Sequence, residues 1–168
     1  MKLIQIDKAR YRRHLNRIII ACVISLALGS LGISQLLIAL FPDESGSHFY
    51  WNLTGVLITS VLIGSLLNKY RHHEFMTEVT YVWNLKQVLN KINRKMRKLK
   101  DAAREGDAQA LLAIHYSHAG SRLLWQLDDN MILEDELIAE KAEFDAIANQ
   151  YNLSLDTDDY DPAILKNF

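Results

Sequence analysis

The sequence predicts an all-α protein that is anchored in a membrane by a hairpin of two transmembrane helices. Its cytoplasmic part is predicted to be a bundle of about three helices or a coiled-coil-like domain. Two stretches, 18–41 and 49–68, contain no charged side chain. Each is about as long as the roughly 20 residues that a helix needs to cross the ~30 Å hydrocarbon layer. Residues 65–105 contain neither glycine nor proline, so helix can continue through them. We expect no β-sheet.

The first predicted elements are a basic cytoplasmic segment, 1–17, and a first transmembrane helix, 18–41. The basic segment has a net charge of +5, and Pro42 ends the helix that follows it. A secretory signal peptide also begins basic and then turns apolar. However, the apolar run here exceeds the usual 7–15 residues, and no A-x-A-like cleavage site precedes Pro42. We therefore interpret the first helix as an anchor that is not cleaved.

The charges on either side of the apolar stretches predict the orientation of the hairpin. A short external turn, 42–48, carries Asp43 and Glu44 and no base, whereas residues 69–104 have a net charge of +7. Lysine and arginine concentrate on the cytoplasmic side of membrane proteins, so both termini are predicted to be cytoplasmic. The basic residues that flank the spans are candidates for contact with lipid headgroups: Arg10, Arg12, Arg13, Arg17, Lys69 and Arg71.

Small residues at helical spacing mark where the spans are expected to pack. Such residues let backbones approach closely in lipid, where the hydrophobic effect no longer favours helix contact. We expect the two spans to pack against each other there, and a dimer between two chains is the alternative. Neither span has an acid, a base or a histidine at its centre, which argues against a proton relay or a transporter site. The predicted packing residues are Ala21, Ser25, Gly29 and Gly32 in the first span and Ser60 and Gly64 in the second.

The cytoplasmic helical domain is predicted over residues 69–151. Either the second span continues into it, or the chain bends near His72 and His73; we favour the bend. The first cytoplasmic helix should pack through an apolar seam with heptad spacing. The seam residues are Val82, Leu85, Leu89, Ile92, Met96, Leu99 and Ala103. Gly106 should then interrupt the helix.

Two further helices and an acidic C-terminal segment, 152–168, complete the prediction. The second cytoplasmic helix should run from its N-cap Asp107 to about Leu127, with one apolar face. That face comprises Leu112, Tyr116, Ala119, Leu123 and Leu127. The third helix should run from about Leu133 to Tyr151, and Pro162 should open a short helical turn. Residues 105–168 have a net charge of −11, and their attraction to the basic residues 69–104 is the simplest account of both charge runs; headgroup contact is an alternative.

The sequence contains no specific catalytic or cofactor signature, so we expect no enzymatic activity and no cofactor. His115 and His118 lie three residues apart on one helix and could place two imidazoles on one metal ion. A protein metal site needs further ligands, and no H-E-x-x-H or paired Cys/His motif supplies one. The single cysteine, Cys22, excludes an intramolecular disulfide. Nucleic-acid binding is not expected, because aromatic residues do not interleave the basic ones.

Several short segments resemble a bacterial family of small two-span inner-membrane proteins classed as a domain of unknown function. The resemblance covers essentially the whole chain. It implies a bacterial inner-membrane location, and the family brings no established activity or catalytic residues. The segments that carry it begin with Ile6-Asp7-Lys8-Ala9-Arg10-Tyr11-Arg12 and include Ser34-Gln35-Leu36-Leu37, Phe75-Met76-Thr77-Glu78-Val79, Tyr81-Val82-Trp83, Ile92-Asn93-Arg94-Lys95, Leu124-Trp125-Gln126-Leu127-Asp128-Asp129-Asn130 and Asp159-Tyr160-Asp161-Pro162-Ala163.

Two hypotheses of function follow. The first is a membrane-tethered helical interaction or scaffold module that binds the lipid bilayer and either a second copy of the chain or another protein. Its contact surface would include Trp83, Trp125 and Tyr160 where these are exposed. The alternative is a ligand- or metal-responsive membrane protein that uses His115 and His118. No small-molecule substrate is identified from the sequence.

Overall fold

The computed structural model describes residues 1–42, 47–129 and 134–168, and over these residues the chain is helical, without a β-strand. The predicted all-α fold class is confirmed. Residues 43–46 of the predicted external turn, including Asp43 and Glu44, lie outside the described residues, as do Asn130 and Leu133. The α-helices are α1 (Lys8–Leu40), α2 (Phe49–Tyr70), α3 (Thr77–Asn93), α4 (Met96–Arg104), α5 (Ala108–Asp128) and α6 (Glu134–Gln150).

The chain divides into two compact units. We call residues Ala9–Thr80 the hairpin unit, and Met1–Lys8 together with Tyr81–Phe168 the helical unit. The hairpin unit contains α2 and nearly all of α1. Helix α1 begins at Lys8, so most of the basic segment and the first apolar stretch form one continuous helix. No glycine or proline lies between Lys8 and Gly29 to interrupt it.

The two long helices of the hairpin unit approach each other closely at Gly29 and Gly55. A methyl group at position 29 would lie 2.7 Å from Thr59 Cγ2, and one at position 55 would lie 2.7 Å from the carbonyl oxygen of Ser30. Thr59 and Ser34 are buried at this contact. Of the predicted packing residues only Gly29 lies there, because Ala21, Ser25, Gly32, Ser60 and Gly64 are on exposed faces of the helices.

The chain bends after α2, as predicted near His72 and His73. Helix α2 ends at Tyr70, and a short 3-10 helix, Glu74–Met76, precedes α3. The Nδ1 atom of His73 accepts a hydrogen bond from the backbone N–H of Phe75 at 3.2 Å, which caps the 3-10 helix. Two side chains at the bend and the start of α3 contact α1. Glu78 forms an ion pair with Arg10 at 2.8 Å, and the ring of Phe75 stacks on that of His14.

In the helical unit the predicted first cytoplasmic helix is two helices, α3 and α4. The expectation of one uninterrupted helix was wrong: the α-helix is broken at Arg94 and Lys95, where the N–H of Lys95 bonds to the carbonyl of Ile92 in a tighter turn. No glycine or proline marks this break. The apolar seam nevertheless continues across it, because Leu89, Ile92 and Leu99 are all buried.

Helix α5 is the central helix of the helical unit and packs against both α4 and α6. It begins as predicted, with the Asp107 carboxylate accepting the N–H of Ala110 at 2.8 Å. The expectation of a single apolar face was wrong, because α5 is covered by neighbours on several sides. Leu112, Ala119 and Leu123 are only half-buried, whereas other α5 residues are fully buried: Ala110, Leu111, Ala113, Ile114 and Tyr116.

The last elements close the helical unit. Helix α6 is followed by two 3-10 helices, Thr157–Asp159 and Pro162–Asn167, and the second confirms the turn predicted at Pro162.

Basic residues of α3 and α4 pair with acidic residues of α5 and α6, as expected from the opposite charges of the two segments. The pairs are Lys86 with Asp128 at 3.0 Å, Lys100 with Glu140 at 2.8 Å and Arg104 with Glu143 at 3.3 Å.

Candidate functional site

A cavity of about 360 Å³ lies in the helical unit between the N-terminal segment, α5 and α6. Its volume is at the lower end of the roughly 300–1,000 Å³ of small-molecule sites. Both histidines singled out in the sequence, His115 and His118, line it. The apolar lining residues are Leu3, Ile4, Ala119, Leu123, Leu137 and Ile138, and the other polar ones are Gln5, Arg122, Gln126 and Lys141.

The N-terminal segment, which forms one wall of the cavity, is held by tyrosine hydroxyls. Tyr81 accepts the N–H of Ile4 at 2.9 Å and donates to the carbonyl of Lys2 at 3.2 Å. Tyr116 donates to the carbonyl of Met1 at 2.9 Å. The side chains of Lys2 and Lys8 add ion pairs with Asp158 and Asp129. The seven residues 1–7, which have no secondary structure of their own, are thereby attached to the helical core together with Lys8.

Burial keeps the tyrosines of this attachment protonated. It raises the pKa of Tyr116 to about 12, with smaller contributions from Tyr81 and Tyr160, and likewise raises the pKa of Tyr160 to about 12. The two rings stack with their centroids 4.2 Å apart. Tyr116 therefore remains a hydrogen-bond donor to Met1 throughout the physiological pH range.

His118 is held in a hydrogen-bonded chain at the cavity wall. Only 4% of its side chain is exposed, and its Nε2 atom lies 3.1 Å from Glu140 Oε1. Lys100 donates to the other carboxylate oxygen of Glu140 at 2.8 Å. Burial lowers the pKa of His118 and outweighs the opposing effect of Glu140. Burial also opposes ionisation of Glu140, but the hydrogen bonds from Lys100 and His118 prevail and lower the pKa of that carboxyl.

His115 is less completely bonded than His118. Its Nδ1 atom lies 3.6 Å from Asp145 Oδ1, beyond hydrogen-bonding distance, and Asp145 forms an ion pair with Lys141. This Nδ1 atom is buried and has no hydrogen-bond partner among the described residues. Buried polar atoms are generally satisfied, so this unpaired nitrogen makes His115 the less firmly held of the two histidines.

The structure brings His115 and His118 to one cavity but sets each against a different carboxylate. Among the described residues, no three histidine, cysteine, aspartate or glutamate side chains are grouped closely enough to hold a metal ion. A protein metal site takes at least three such ligands. The two histidines are therefore better described as cavity-lining groups than as a metal pair.

The other residues singled out in the sequence lie in both units. In the hairpin unit Arg12, Arg13, Arg17, Lys69 and Arg71 are exposed, and Arg10 is bound to Glu78. In the helical unit Trp83 is 64% exposed, Trp125 is half-buried and Tyr160 is buried. Of the three aromatic residues considered for a contact surface, Trp83 alone is exposed.

The low pKa of His118 predicts that the helical unit loses stability in mild acid. The unfolded chain binds a proton at this histidine near its ordinary pKa of 6.5, whereas the folded unit resists it. The contribution of neutral His118 to stability should therefore be fully present above pH 6.5. It should be lost as the pH falls through the lower pKa that this histidine has in the folded unit. We expect His118→Gln to flatten the pH dependence of thermal unfolding between pH 7.5 and 5. Its control, His72→Gln at an exposed position, should retain the wild-type slope.

Fold and site together define an all-α protein in which two helices, long and apolar enough to cross a membrane, precede a helical unit with a cavity lined by apolar and polar side chains. The chain belongs to the family described as "Protein of unknown function (DUF3087)", whose model matches residues 1–165. This confirms the resemblance inferred from the sequence. Comparison with curated proteins and with solved structures finds no match.

Proposed function

We propose that the protein is an integral protein of the bacterial inner membrane, with both termini in the cytoplasm. The observation that supports this is the exposure of the apolar side chains of α1 and α2. Only 6% and 11% of the most apolar stretches of these helices are buried, whereas the core helix of a soluble protein buries most of its length. Leu28 is 68% exposed and Val61 is 67% exposed. An apolar surface of this extent requires cover, which a bilayer supplies.

The proposed orientation rests on charge. Basic residues precede the apolar part of α1 and follow that of α2, as the positive-inside rule requires for two cytoplasmic ends. A cleaved signal peptide would account for α1 but not for a second apolar helix nine residues further along the chain. The exposed arginines of α1 and the exposed Lys69 and Arg71 are placed to meet anionic headgroups on the cytoplasmic side.

A topology experiment tests this part of the proposal. We expect the full-length protein to stay in the membrane pellet after alkaline washing, and a fluorescent reporter fused after Phe168 to be active in the cytoplasm. Replacing Arg10, Arg12, Arg13 and Arg17 by glutamine should weaken the orientation and move part of the reporter outside. Release of the protein into the alkaline supernatant would contradict the proposal.

We infer further that the helical unit is a non-enzymatic interaction module that the anchor holds at the membrane. Trp83 supports this, because tryptophan is enriched among the residues that dominate protein interfaces and here it is left exposed on α3. The helical core itself is complete without it, since Leu85, Ile92 and Leu111 are fully buried. The partner would be a protein, either a second copy of the chain or another membrane or cytoplasmic protein.

Site-specific photo-cross-linking tests the interaction. A photoreactive amino acid at position 83 should give a discrete protein cross-link in intact cells, and mass spectrometry of the product distinguishes a second copy from another protein. The same amino acid in place of Arg97, an exposed residue of α4, is the control and should give none. Equal, diffuse labelling from both positions, or no product from position 83, would argue against an interface at Trp83.

A further inference from the structure

We propose that a basic patch on the helical unit, formed by Lys91, Arg94 and Arg97, docks on the anionic headgroups of the cytoplasmic leaflet. This inference rests on the proposed membrane anchoring, which supplies the lipid surface. It goes further by assigning the helical unit a contact of its own with the bilayer, well beyond the end of α2 at Tyr70. All three residues belong to one compact unit.

The helical unit leaves the basic patch without an internal partner. Eight lysines and arginines lie between residues 86 and 104. Five of them bind within the unit, three to carboxylates and two to the main-chain oxygen atoms of Leu165 and Phe168. Lys91, Arg94 and Arg97 are exposed and have no ion-pair partner among the described residues. The attraction between the two oppositely charged segments therefore does not account for these three charges.

The residues of the basic patch lie on both sides of the break between α3 and α4. Lys91 is in the last turn of α3, and helical hydrogen bonding continues to the N–H of Arg94, so these two residues are one turn apart. Arg97 is in the first turn of α4. Residues 79–100 contain no acidic residue, and the first one after them is Asp101. The break is therefore flanked by positive charge alone.

An anionic membrane is the partner that the basic patch fits best, because the hairpin in the same chain keeps it close. Even if residues 71–76 were fully extended, Lys91 would lie at most roughly 45 Å from the end of α2. A tethered surface does not have to find the membrane from solution. Each basic residue close to an anionic surface favours contact by about fivefold, so three favour it by about a hundredfold.

The surroundings of the basic patch favour lipid over nucleic acid. Residues 84–115 contain no phenylalanine, tyrosine or tryptophan on which a base could stack. Contact with lipid headgroups requires only positive charges that reach the membrane surface, and exposed lysine and arginine side chains supply them.

Headgroup quenching in nanodiscs tests the docking with the full-length protein. A fluorescent amino acid replaces Asn93, an exposed residue between Lys91 and Arg94, and some of the lipids carry a nitroxide quencher on the headgroup. We expect strong quenching in a three-to-one mixture of phosphatidylcholine and phosphatidylglycerol, and little in phosphatidylcholine alone. Salt at about 1 M should abolish the difference, because the Debye length falls to about 3 Å.

Two variants that remove the same kinds of charge make the assignment specific. Lys91→Gln/Arg94→Gln should lower the ratio of docked to undocked protein in the anionic discs by roughly 25-fold, about fivefold for each base. Lys86→Gln/Arg104→Gln is the control, since it also replaces one lysine and one arginine, but these two pair with acidic residues within the unit. The control should retain the quenching of the wild type.

A second fluorophore position separates loss of docking from loss of anchoring. At position 70, the end of α2, the fluorophore should be quenched in both lipids, because the hairpin spans the disc. Quenching there without lipid-dependent quenching at position 93, or an equal loss in both variants, would overturn the docking and leave the anchoring intact. Absence of quenching at both positions would contradict the anchoring and the docking with it.

Single-stranded RNA added to the phosphatidylcholine discs tests the other class of partner. We expect no change in the fluorescence anisotropy at position 93. RNA binding that Lys91→Gln/Arg94→Gln abolishes, together with equal quenching in the two lipids, would assign the basic patch to nucleic acid and overturn the proposal.

Discussion

Leu89→Ala is expected to lower the free energy of unfolding of the helical unit by about 2–5 kcal/mol, the range for truncating a buried leucine. Leu89 is almost fully buried on α3, and it fills the space above Gly120 on α5. Because Gly120 has no side chain, the neighbouring helix has nothing with which to fill the resulting hole. The cost should therefore lie in the upper part of this range.

A double-mutant cycle tests this packing directly. A methyl group at position 120 would lie 3.0 Å from one terminal methyl of Leu89 and 3.4 Å from the other, which is tight while the leucine is present. In the Leu89→Ala background the same methyl enters the hole and also gains about 1 kcal/mol of helix propensity over glycine. Gly120→Ala should therefore restore part of the stability lost in the Leu89→Ala variant, and it should stabilise the wild type less. The coupling energy between the two substitutions should be about 0.5–3 kcal/mol.

Hydrogen exchange of α5 amides in the detergent-solubilised full-length protein measures these free energies. Asn90→Ala, a change at the exposed neighbouring position, should stay within about 0.5 kcal/mol of the wild type. If Gly120→Ala had the same effect with Leu89 and without it, the two residues would not share the packing contact described above.

The elements predicted correctly are those whose signal is local. The two apolar stretches, the bend near His72, the Asp107 cap and the turn at Pro162 each depend on residues within a few positions of one another. Six of the seven predicted seam residues from Val82 to Ala103 are buried, and Met96 is half-buried. The interruption of the helix at Arg94 and Lys95 was not predictable, because no glycine or proline lies there to mark it.

Helix α5 shows a second limit of periodicity. The apolar positions that suggested one face are joined in the core by small and polar residues such as Ala113, Ser117 and Gly120. Small and polar residues are not predicted as core residues from their hydrophobicity. A central helix with neighbours on several sides nevertheless buries them. The number of neighbours around a helix is a property of the whole fold.

The candidate site was predictable only in part, for a related reason. His115 and His118 are three residues apart, so their common face follows from helix geometry. Glu140 is 22 residues from His118, and Ile4 is 77 residues from Tyr81, and no local pattern joins such pairs. The sequence therefore indicated the two imidazoles but neither the carboxylate behind His118 nor the N-terminal segment that completes the cavity.

The hairpin unit illustrates the difference between a small-residue pattern and an actual contact, and it gives the last prediction. Gly55→Ala is expected to destabilise the packing of α1 on α2 by about 1–3 kcal/mol, the usual cost of overpacking. The new methyl would meet the Ser34 hydroxyl, lie 2.7 Å from the Ser30 carbonyl oxygen and lie 3.1 Å from the Ser34 amide nitrogen. Two of these atoms are backbone, so the helices themselves must separate.

Gly64→Ala is the matched control on the same helix, because a methyl there would meet no atom within 4 Å. We expect it to leave the stability of the hairpin unchanged or to raise it by up to about 1 kcal/mol, the gain in helix propensity of alanine over glycine. Trp51 stacks on Phe41 with ring centroids 5.5 Å apart and can report the packing through its fluorescence in a Trp83→Phe/Trp125→Phe background. Detergent-driven unfolding of the full-length protein should then shift to lower detergent concentration for Gly55→Ala alone. Equal shifts for both variants would mean that helix propensity or lipid contact, rather than the approach at Gly55, determines the stability of the hairpin.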